Sequence, residues 1–156
     1  MGADVHPRIL GFLGRALSLE LSAVQQYMTQ ASLAEVWGLA DAAARFRHET
    51  VEEMQHAERI VQSMLALGVA PGASQLRPVD TAPDLAGLLS SDAALEAELI
   101  EHYAEAVRFC ALIGDAEHDA FFRSLWLEEQ QHGDALALWQ RDLADGGREV
   151  LTRASF

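Results

Sequence analysis

The feature that most constrains this chain is one spacing that occurs twice: a lone glutamate, followed 33 residues later by a Glu-x-x-His pair. The two copies lie at an offset of 76 (96 − 20 = 129 − 53 = 76) and comprise Glu20, Glu53 and His56, then Glu96, Glu129 and His132. Tyr27 and Tyr103, the only tyrosines, repeat at the same offset, as do Gly38 and Gly114. The sequence therefore predicts two copies of one helical hairpin.

The spacing has a geometric meaning, because residues equidistant from the turn of an antiparallel hairpin lie at the same height. The midpoints of the two 33-residue intervals are 36.5 and 112.5, just before Gly38 and Gly114. Glycine is the residue best able to end a helix and turn the chain. Each lone glutamate should then face the glutamate of its own Glu-x-x-His pair, whose i, i+3 spacing keeps both side chains on one face. Two hairpins packed face to face would bring four carboxylates and two imidazoles to one level.

The apolar residues follow i+3 and i+4 spacing, which predicts an all-α chain of long helices. Three of the four prolines (71, 78 and 83) lie in the segment 68–83, whose 16 residues can extend about 50 Å. That is the length of a helix of about 30 residues, so this segment is predicted to be a long crossover that makes helices two and three parallel. We predict one domain, 1–156, with four helices and a short fifth helix after Gly146-Gly147, at about 7–37, 39–67, 84–113, 115–144 and 147–154.

The predicted acidic layer needs compensation, because buried carboxylates require pairing, protonation or a metal. Two divalent cations balance four negative charges, and mixed carboxylate and imidazole ligands suit iron or manganese. Carboxylates can also bridge two metals. The same ligand pattern is known from di-iron four-helix bundles, and we therefore expect two iron ions per subunit. Tyr27 and Tyr103 are interpreted as donors that orient a carboxylate, with ordinary core tyrosines as the alternative.

Composition narrows the classes of function. The net charge is −13, with 24 acidic residues against 11 basic ones, which argues against a nucleic-acid partner and favours cations. Cys110 is the only cysteine, so one chain cannot supply a four-cysteine site. The first residues, MGADVHP, lack the apolar segment of an export signal, and no apolar run approaches the roughly 18 residues of a membrane span. We expect a cytoplasmic protein without a membrane segment.

With these ligands placed, the chain resembles the bacterioferritins over about residues 6–145, in the stretches LSLELSAVQQY, WGLADAA, HETVEEMQHAERI, SDAALE and LEEQQH. The resemblance implies a ferritin-like fold in which Glu53 and Glu129 bridge two irons. The remaining ligands would be Glu20 with His56 at one iron, and Glu96 with His132 at the other. It also implies a homo-oligomeric shell of about 24 subunits built from two-fold dimers. Such a shell oxidises Fe(II) with O2 or H2O2 and stores the ferric mineral inside.

Met54 is where the two halves differ, since its repeat partner is Gln130. It matches the family's haem-ligating methionine, so the resemblance implies one haem b shared between two subunits. On a helix, Met54 points about 130° from the middle of the Glu53/His56 face, outward toward a partner subunit. Packing at an interface is the alternative. The residues that could line the haem pocket are Leu21, Val24, Gln25 and Met28.

Other positions carry weaker signals. His48 and Glu52, at i, i+4 and turned away from the di-iron face, are similar to residues that pass iron or electrons at the inner surface of the shell. A surface charge pair explains them equally well. At Ile60 and Ala135 the chain departs from family members that carry aromatic residues there, which puts electron delivery in doubt. Two further histidines are interpreted as surface residues: His102 and His118.

Two other functions remain open at this point. A rubrerythrin-like di-iron peroxidase resembles this chain in both Glu-x-x-His pairs and both tyrosines. That family has a further glutamate where Leu99 stands, and usually a four-cysteine module that one cysteine cannot supply. The third possibility is a haem-holding shell subunit that assembles with another chain. A second subunit type and a ferredoxin-type reductase are the further partners considered for such a chain, although the sequence identifies neither.

Overall fold

Four long α-helices make up the regular structure, which a computed structural model describes for residues 5–154, with side chains for residues 5–146. The helices are α1 (Pro7–Val36), α2 (Ala40–Ala66), α3 (Leu85–Ile113) and α4 (Ala116–Ala154). No strand occurs among residues 5–154. The first three helices begin and end within one residue of the predicted positions. Within the described residues, no helix is both long enough and apolar enough to cross a membrane.

Both hairpin turns use the predicted glycines. Gly38 and Gly114 have φ of 78° and 74°, in the left-handed region that ends a helix. In each turn the N–H of the residue after the glycine donates a hydrogen bond to the helix carbonyl five residues earlier. Leu39 donates to Ala34 at 2.8 Å, and Asp115 donates to Cys110 at 2.9 Å. The two turns are therefore built alike, as the repeat predicts.

Cross-hairpin contacts give the direction of every helix. Tyr103 reaches Glu20, whereas Tyr27 reaches Glu96, so later residues of α1 meet earlier residues of α3. Helices α1 and α3 are antiparallel, which makes α2 parallel to α3. The crossover between them has no regular structure, and α1 anchors it. Ser18 Oγ accepts the Gln75 N–H at 3.1 Å, and Ser22 Oγ accepts the Arg77 N–H at 3.0 Å.

Two sequence-based expectations differ from the structure. A separate fifth helix is not shown, because α4 continues through Gly146 and Gly147 to Ala154. A glycine inside a helix costs only about 1 kcal/mol relative to alanine, which a long helix tolerates. His102 and His118 are buried, not surface residues. Both find partners: His102 donates to the Phe12 carbonyl at 2.9 Å, and His118 pairs with Asp115 at 2.8 Å.

Candidate metal centre

Each helix of the bundle contributes one glutamate to a single buried layer. Glu20, Glu53 and Glu129 are 0% exposed, and Glu96 is 1% exposed. They come from α1, α2, α4 and α3 respectively, at the heights that the 33-residue spacing requires. The structure thus brings the four carboxylates together at the middle of the bundle, away from both turns.

The two histidines lie beside these carboxylates, each one turn beyond its own glutamate. His56 Nδ1 lies 2.8 Å from Glu129 Oε1, 3.4 Å from Glu53 Oε1 and 3.5 Å from Glu20 Oε1. His132 Nδ1 lies 3.1 Å from Glu53 Oε1 and 3.4 Å from Glu129 Oε2. The imidazole rings are nearly parallel, with centroids 5.7 Å apart. Glu53 and Glu129 therefore lie between the two imidazoles.

Two overlapping groups of side chains could each hold a metal ion, because their ligand atoms lie within 4.8 Å of one another. The groups are Glu20, Glu53, His56 and Glu129, and Glu49, Glu53, Glu96 and His132. Glu53 belongs to both groups, while Glu129 belongs to the first group and lies 3.4 Å from His132 of the second. Glu49 is the one member that the sequence analysis did not identify. The available signal was its position on α2, one turn before Glu53 on the same face.

The donor atoms fit divalent cations. Both oxygens of Glu53, and one oxygen each of Glu20, Glu96 and Glu129, are buried without a hydrogen-bond donor among the described residues. A buried polar atom without a partner costs about 1–3 kcal/mol, and a charged one more. Two cations would supply the missing partner for all of these oxygens. A set of carboxylates and imidazoles suits iron or manganese better than the thiolate sites of structural zinc.

Burial and mutual charge shift the acid–base properties of the layer. Burial, with the charge of Glu129, raises the pKa of Glu20 to about 7, and burial also raises the pKa of Glu53 and Glu96 well above the usual range. Burial opposes ionisation of Glu129 too, but its interactions with His132 and His56 outweigh burial and lower its pKa. Without metal the folded layer therefore retains protons that an exposed set of carboxylates would lose.

The imidazole pKa values move in the opposite direction from that expected for buried histidines. Burial lowers the pKa of His56, but its hydrogen bonds to Glu129 and Glu20 outweigh burial and raise it to about 10. For His132, the interaction with Glu129 likewise overcomes burial and raises the pKa to about 9. Both imidazoles therefore act as counter-charges to the acids when no metal is bound.

Both tyrosines donate to carboxylates of the layer, and each does so across the hairpins. Tyr27 Oη donates to Glu96 Oε1 at 2.6 Å, and Tyr103 Oη donates to Glu20 Oε1 at 2.7 Å. The two acceptors are the lone glutamates of the repeat. Each tyrosine thus fixes one carboxylate oxygen and leaves the other free for a ligand.

The outward-facing nitrogens of both histidines meet a second pair of repeat-related acids. His56 Nε2 lies 3.6 Å from Glu128 Oε2, while His132 Nε2 contacts Glu52 closely. The sequence analysis missed Glu128, although the Glu-Glu doublets at 52–53 and 128–129 repeat in register. It also placed Glu52 away from the di-iron face, whereas Glu52 bonds both His132 and, at 2.9 Å, His48. Acids that hold the outer nitrogen of a histidine orient its inner nitrogen toward a metal.

An open cavity of about 710 Å³ leads from the surface to this pair of histidines. It lies between α2 and α4, and His48, Glu49, Glu52 and Glu128 line it together with Ala135. Ile60, the other position singled out with Ala135 in the sequence, is fully buried in the core. Three of the lining residues are acids, and two are arginines, Arg45 and Arg59, of which Arg59 pairs with Glu128.

Met54 lies outside the layer, on the outer face of α2. Its side chain is 52% exposed, and Met28 on α1 is 53% exposed. Of the other residues expected around a haem, Gln25 is exposed, while Leu21 and Val24 are half-buried. The outward direction predicted for Met54 is therefore observed.

Comparison with known proteins identifies the family. The model of the ferritin-like domain matches residues 11–145. The bacterioferritin of Rhodobacter capsulatus is 36% identical over 129 residues, which cover 83% of this chain and 80% of that protein. The bacterioferritin of Brucella melitensis biotype 1 is 29% identical over 144 residues, covering 92% and 89%. A solved structure of the Rhodobacter capsulatus protein, with a metal-free dinuclear site and a haem iron, superposes with a TM-score of 0.89 at 33% identity, over 94% of this chain and 92% of that one. The chain therefore belongs to the bacterioferritins, within the ferritin-like family.

Proposed function

We propose that this chain oxidises Fe(II) at the buried centre as the first step of iron storage. The observation that carries the proposal is the set of buried carboxylate oxygens that converge between two imidazoles without hydrogen-bond donors. Glu53 and Glu129 bridge two Fe(II) ions in this proposal. The other ligands are Glu20 with His56 for one ion, and Glu96 with His132 for the second.

Reduction of O2 to H2O2 requires two electrons, which two Fe(II) substrate ions supply together. With O2 and two protons, the products are two Fe(III) ions and H2O2; with H2O2 as oxidant, the second product is water. The protein's part is to hold the carboxylates in place through Tyr27 and Tyr103 and to shield them from bulk water. The cavity between α2 and α4 provides the route for the ions. His48 and Glu52, which bond to each other in that cavity, are proposed as an iron site on the way to the interior of the shell.

The test combines binding with rate. Anaerobic titration of the metal-free protein with Fe(II) should saturate at about two ions per subunit. Glu53→Gln should slow the initial oxidation by more than about 10²-fold, because loss of an outer-shell partner alone costs 10–100-fold. Glu58→Gln, on the exposed face of the same helix, is the matched control and should oxidise Fe(II) normally. Fast oxidation by the Glu53 variant would refute the assignment.

We propose further that one haem b binds between two subunits with Met54 as its axial ligand. Met28, Val51 and Met54 are each about half exposed on neighbouring faces of α1 and α2. The haem iron in the Rhodobacter capsulatus relative supports the proposal. The bacterioferritin relatives support a multimeric shell, for which we propose about 24 identical subunits in two-fold dimers. A ferredoxin-type reductase as electron donor for iron release and a cytoplasmic location complete the proposal.

The rubrerythrin-like peroxidase is not favoured. Leu99, which stands where that family has a further glutamate, is fully buried in the apolar core. Among the described residues, Glu96 is the only carboxylate of α3 that belongs to either metal-holding group. A haem-holding subunit that depends on a second type of chain for oxidation is also not favoured, because this chain carries all six ligands itself.

A further inference from the structure

A second layer of buried polar side chains lies one helical turn from the metal centre, on the side of the hairpin turn at Gly38. Asp92 precedes Glu96 by four residues on α3, and Glu49 precedes Glu53 by four on α2. Two glutamines of α1 complete the layer. We call Gln26, Gln30, Glu49 and Asp92 the polar layer.

Several buried atoms of the polar layer lack hydrogen-bond partners among the described residues. Asp92 is fully buried, and its Oδ1 accepts from Gln26 Nε2 at 2.8 Å. Four other buried atoms have no partner among the described residues: Asp92 Oδ2, both amide atoms of the fully buried Gln30, and Glu49 Oε2. Donors and acceptors thus face one region, and each would cost about 1–3 kcal/mol if left unpaired. Several convergent polar atoms of this kind are what holds a buried water molecule.

The internal repeat shows that the fold does not require this layer. The equivalent positions on the other side of the metal centre, at the offset of 76, are Ala16, His102, Ala106 and Leu125. The three apolar residues among them are fully buried. His102, the one polar member, is satisfied by the Phe12 carbonyl at 2.9 Å. The metal layer is therefore symmetric, whereas its flanks are polar on one side and apolar on the other.

The polar layer is connected to the metal centre at one end and to solvent at the other. Tyr27, next to Gln26 in sequence, donates to Glu96 at 2.6 Å. Glu49 Oε2 lies 3.5 Å from His132 Nδ1. The Glu49 side chain is also 24% exposed and lines the 710 Å³ cavity. Ordered water between Asp92 and Glu49 would complete a route from the layer to the cavity.

We propose that the polar layer binds ordered water and passes protons between the metal centre and the cavity, with Asp92 as the proton carrier. The inference rests on the proposed function, because divalent cations displace protons from carboxyl and imidazole ligands. When the metal binds, a displaced proton moves through water to the Asp92 carboxylate, which becomes the carboxylic acid. The acid then releases a proton through water, past Glu49, to the cavity. Reduction of O2 to H2O2 draws two protons along the same route in reverse.

The surroundings of Asp92 suit both steps of such a transfer. Burial raises the pKa of Asp92 to about 7, although the hydrogen bond from Gln26 opposes the rise. The titratable groups that face it are Glu49 from α2 and Tyr27 from α1. A group that titrates near neutral pH can accept and release a proton with similar ease. Asp92 acts through its neighbours and is not itself a ligand.

The test mixes metal-free protein with Co(II) anaerobically in weak buffer. Absorption of bound Co(II) reports occupancy, and a pH indicator reports proton release. Asp92→Asn preserves the bond from Gln26, so it should still bind two Co(II) ions per subunit but release protons at least about tenfold more slowly. Its infrared spectrum should also lose a carboxylic acid carbonyl band that titrates near pH 7. Gln30→Leu, which replaces polar surface with apolar surface, should slow proton release as well.

The matched control is His102→Gln, at the position equivalent to Gln26 in the apolar flank, and its proton release should match the wild type. If Asp92→Asn binds two Co(II) ions and releases protons at the wild-type rate, the inference is wrong and the proposed function stands. If the wild-type protein does not bind two Co(II) ions, the proposed function fails and the inference with it. Should the Asp92 variant not fold, wild-type proton release by Gln30→Leu overturns the inference.

Discussion

At the scale of single residues, buried charge determines how the protein behaves without metal. Burial raises the pKa of Glu20 to about 7, and contacts with acids raise the pKa of His132 to about 9 and of His56 to about 10 against the effect of burial. Each value exceeds the value for an exposed side chain. The folded, metal-free protein therefore binds more protons than the unfolded chain across the neutral range.

This difference predicts that metal-free protein loses stability as the pH rises from about 5 to 9. Each group stabilises fully below its unfolded pKa, and that contribution is lost as the pH rises through the folded pKa. The window extends from 4.5 to about 7 for Glu20, and from 6.5 to about 9 and 10 for the histidines. One extra bound proton corresponds to about 1.4 kcal/mol per pH unit. The pKa of Glu129 is lowered, so this group changes the stability only at pH values below this range.

Denaturant unfolding of chelator-treated protein across this pH range measures the effect. Stability that rises from pH 5 to 9 would contradict the assignment of protons to the metal layer. Protein with Co(II) is the control, because the metal replaces protons on the same ligands. Its stability should fall less over this range, and it should exceed that of the metal-free protein by mass action.

At the scale of helices, the sequence predicted the elements whose positions depend on local spacing. The heights of Glu53 and Glu129 follow from the distance to their own turns, and the turns follow from Gly38 and Gly114. Contacts between hairpins could not be predicted in this way. The reach of Glu52 to His132 depends on how α2 packs against α4, which no spacing within one hairpin determines.

The turn glycines give a prediction with a matched control in the same chain. Gly114→Ala should lower the free energy of unfolding by about 1 kcal/mol, because its φ of 74° places a Cβ in the left-handed region. Gly11→Ala lies on the exposed face of α1, where an added Cβ meets nothing within 4 Å. It should raise the free energy of unfolding by about 0.5–1 kcal/mol. Opposite shifts in denaturant midpoint test the pair, and destabilisation by both would show that α1 does not tolerate the added methyl group.

At the scale of the whole molecule, the two halves share the metal layer but differ in what they present outside it. Met54 lies half exposed on α2, whereas Gln130 takes the same position on α4. The faces of α1 and α2 also expose Met28 and Val51 by about half. Exposed apolar side chains that form one patch are typical of an interface between copies of a chain. In our proposal, the duplicated hairpin is specialised on one side both for assembly and for haem.

Substitution of Met54 separates these two roles. Met54→Leu conserves volume and apolar character, which costs less than about 1.5 kcal/mol in packing, so the assembly should persist. Leucine has no sulfur to offer an iron, so the Soret absorption of the purified protein should fall sharply. Light scattering measures the particle mass, which should remain near that of about 24 subunits. Gln130→Leu, at the repeat-related position, is the control and should retain both haem and mass. If Met54→Leu still carries haem, another residue ligates the iron; if it falls to dimers, Met54 holds the shell together instead.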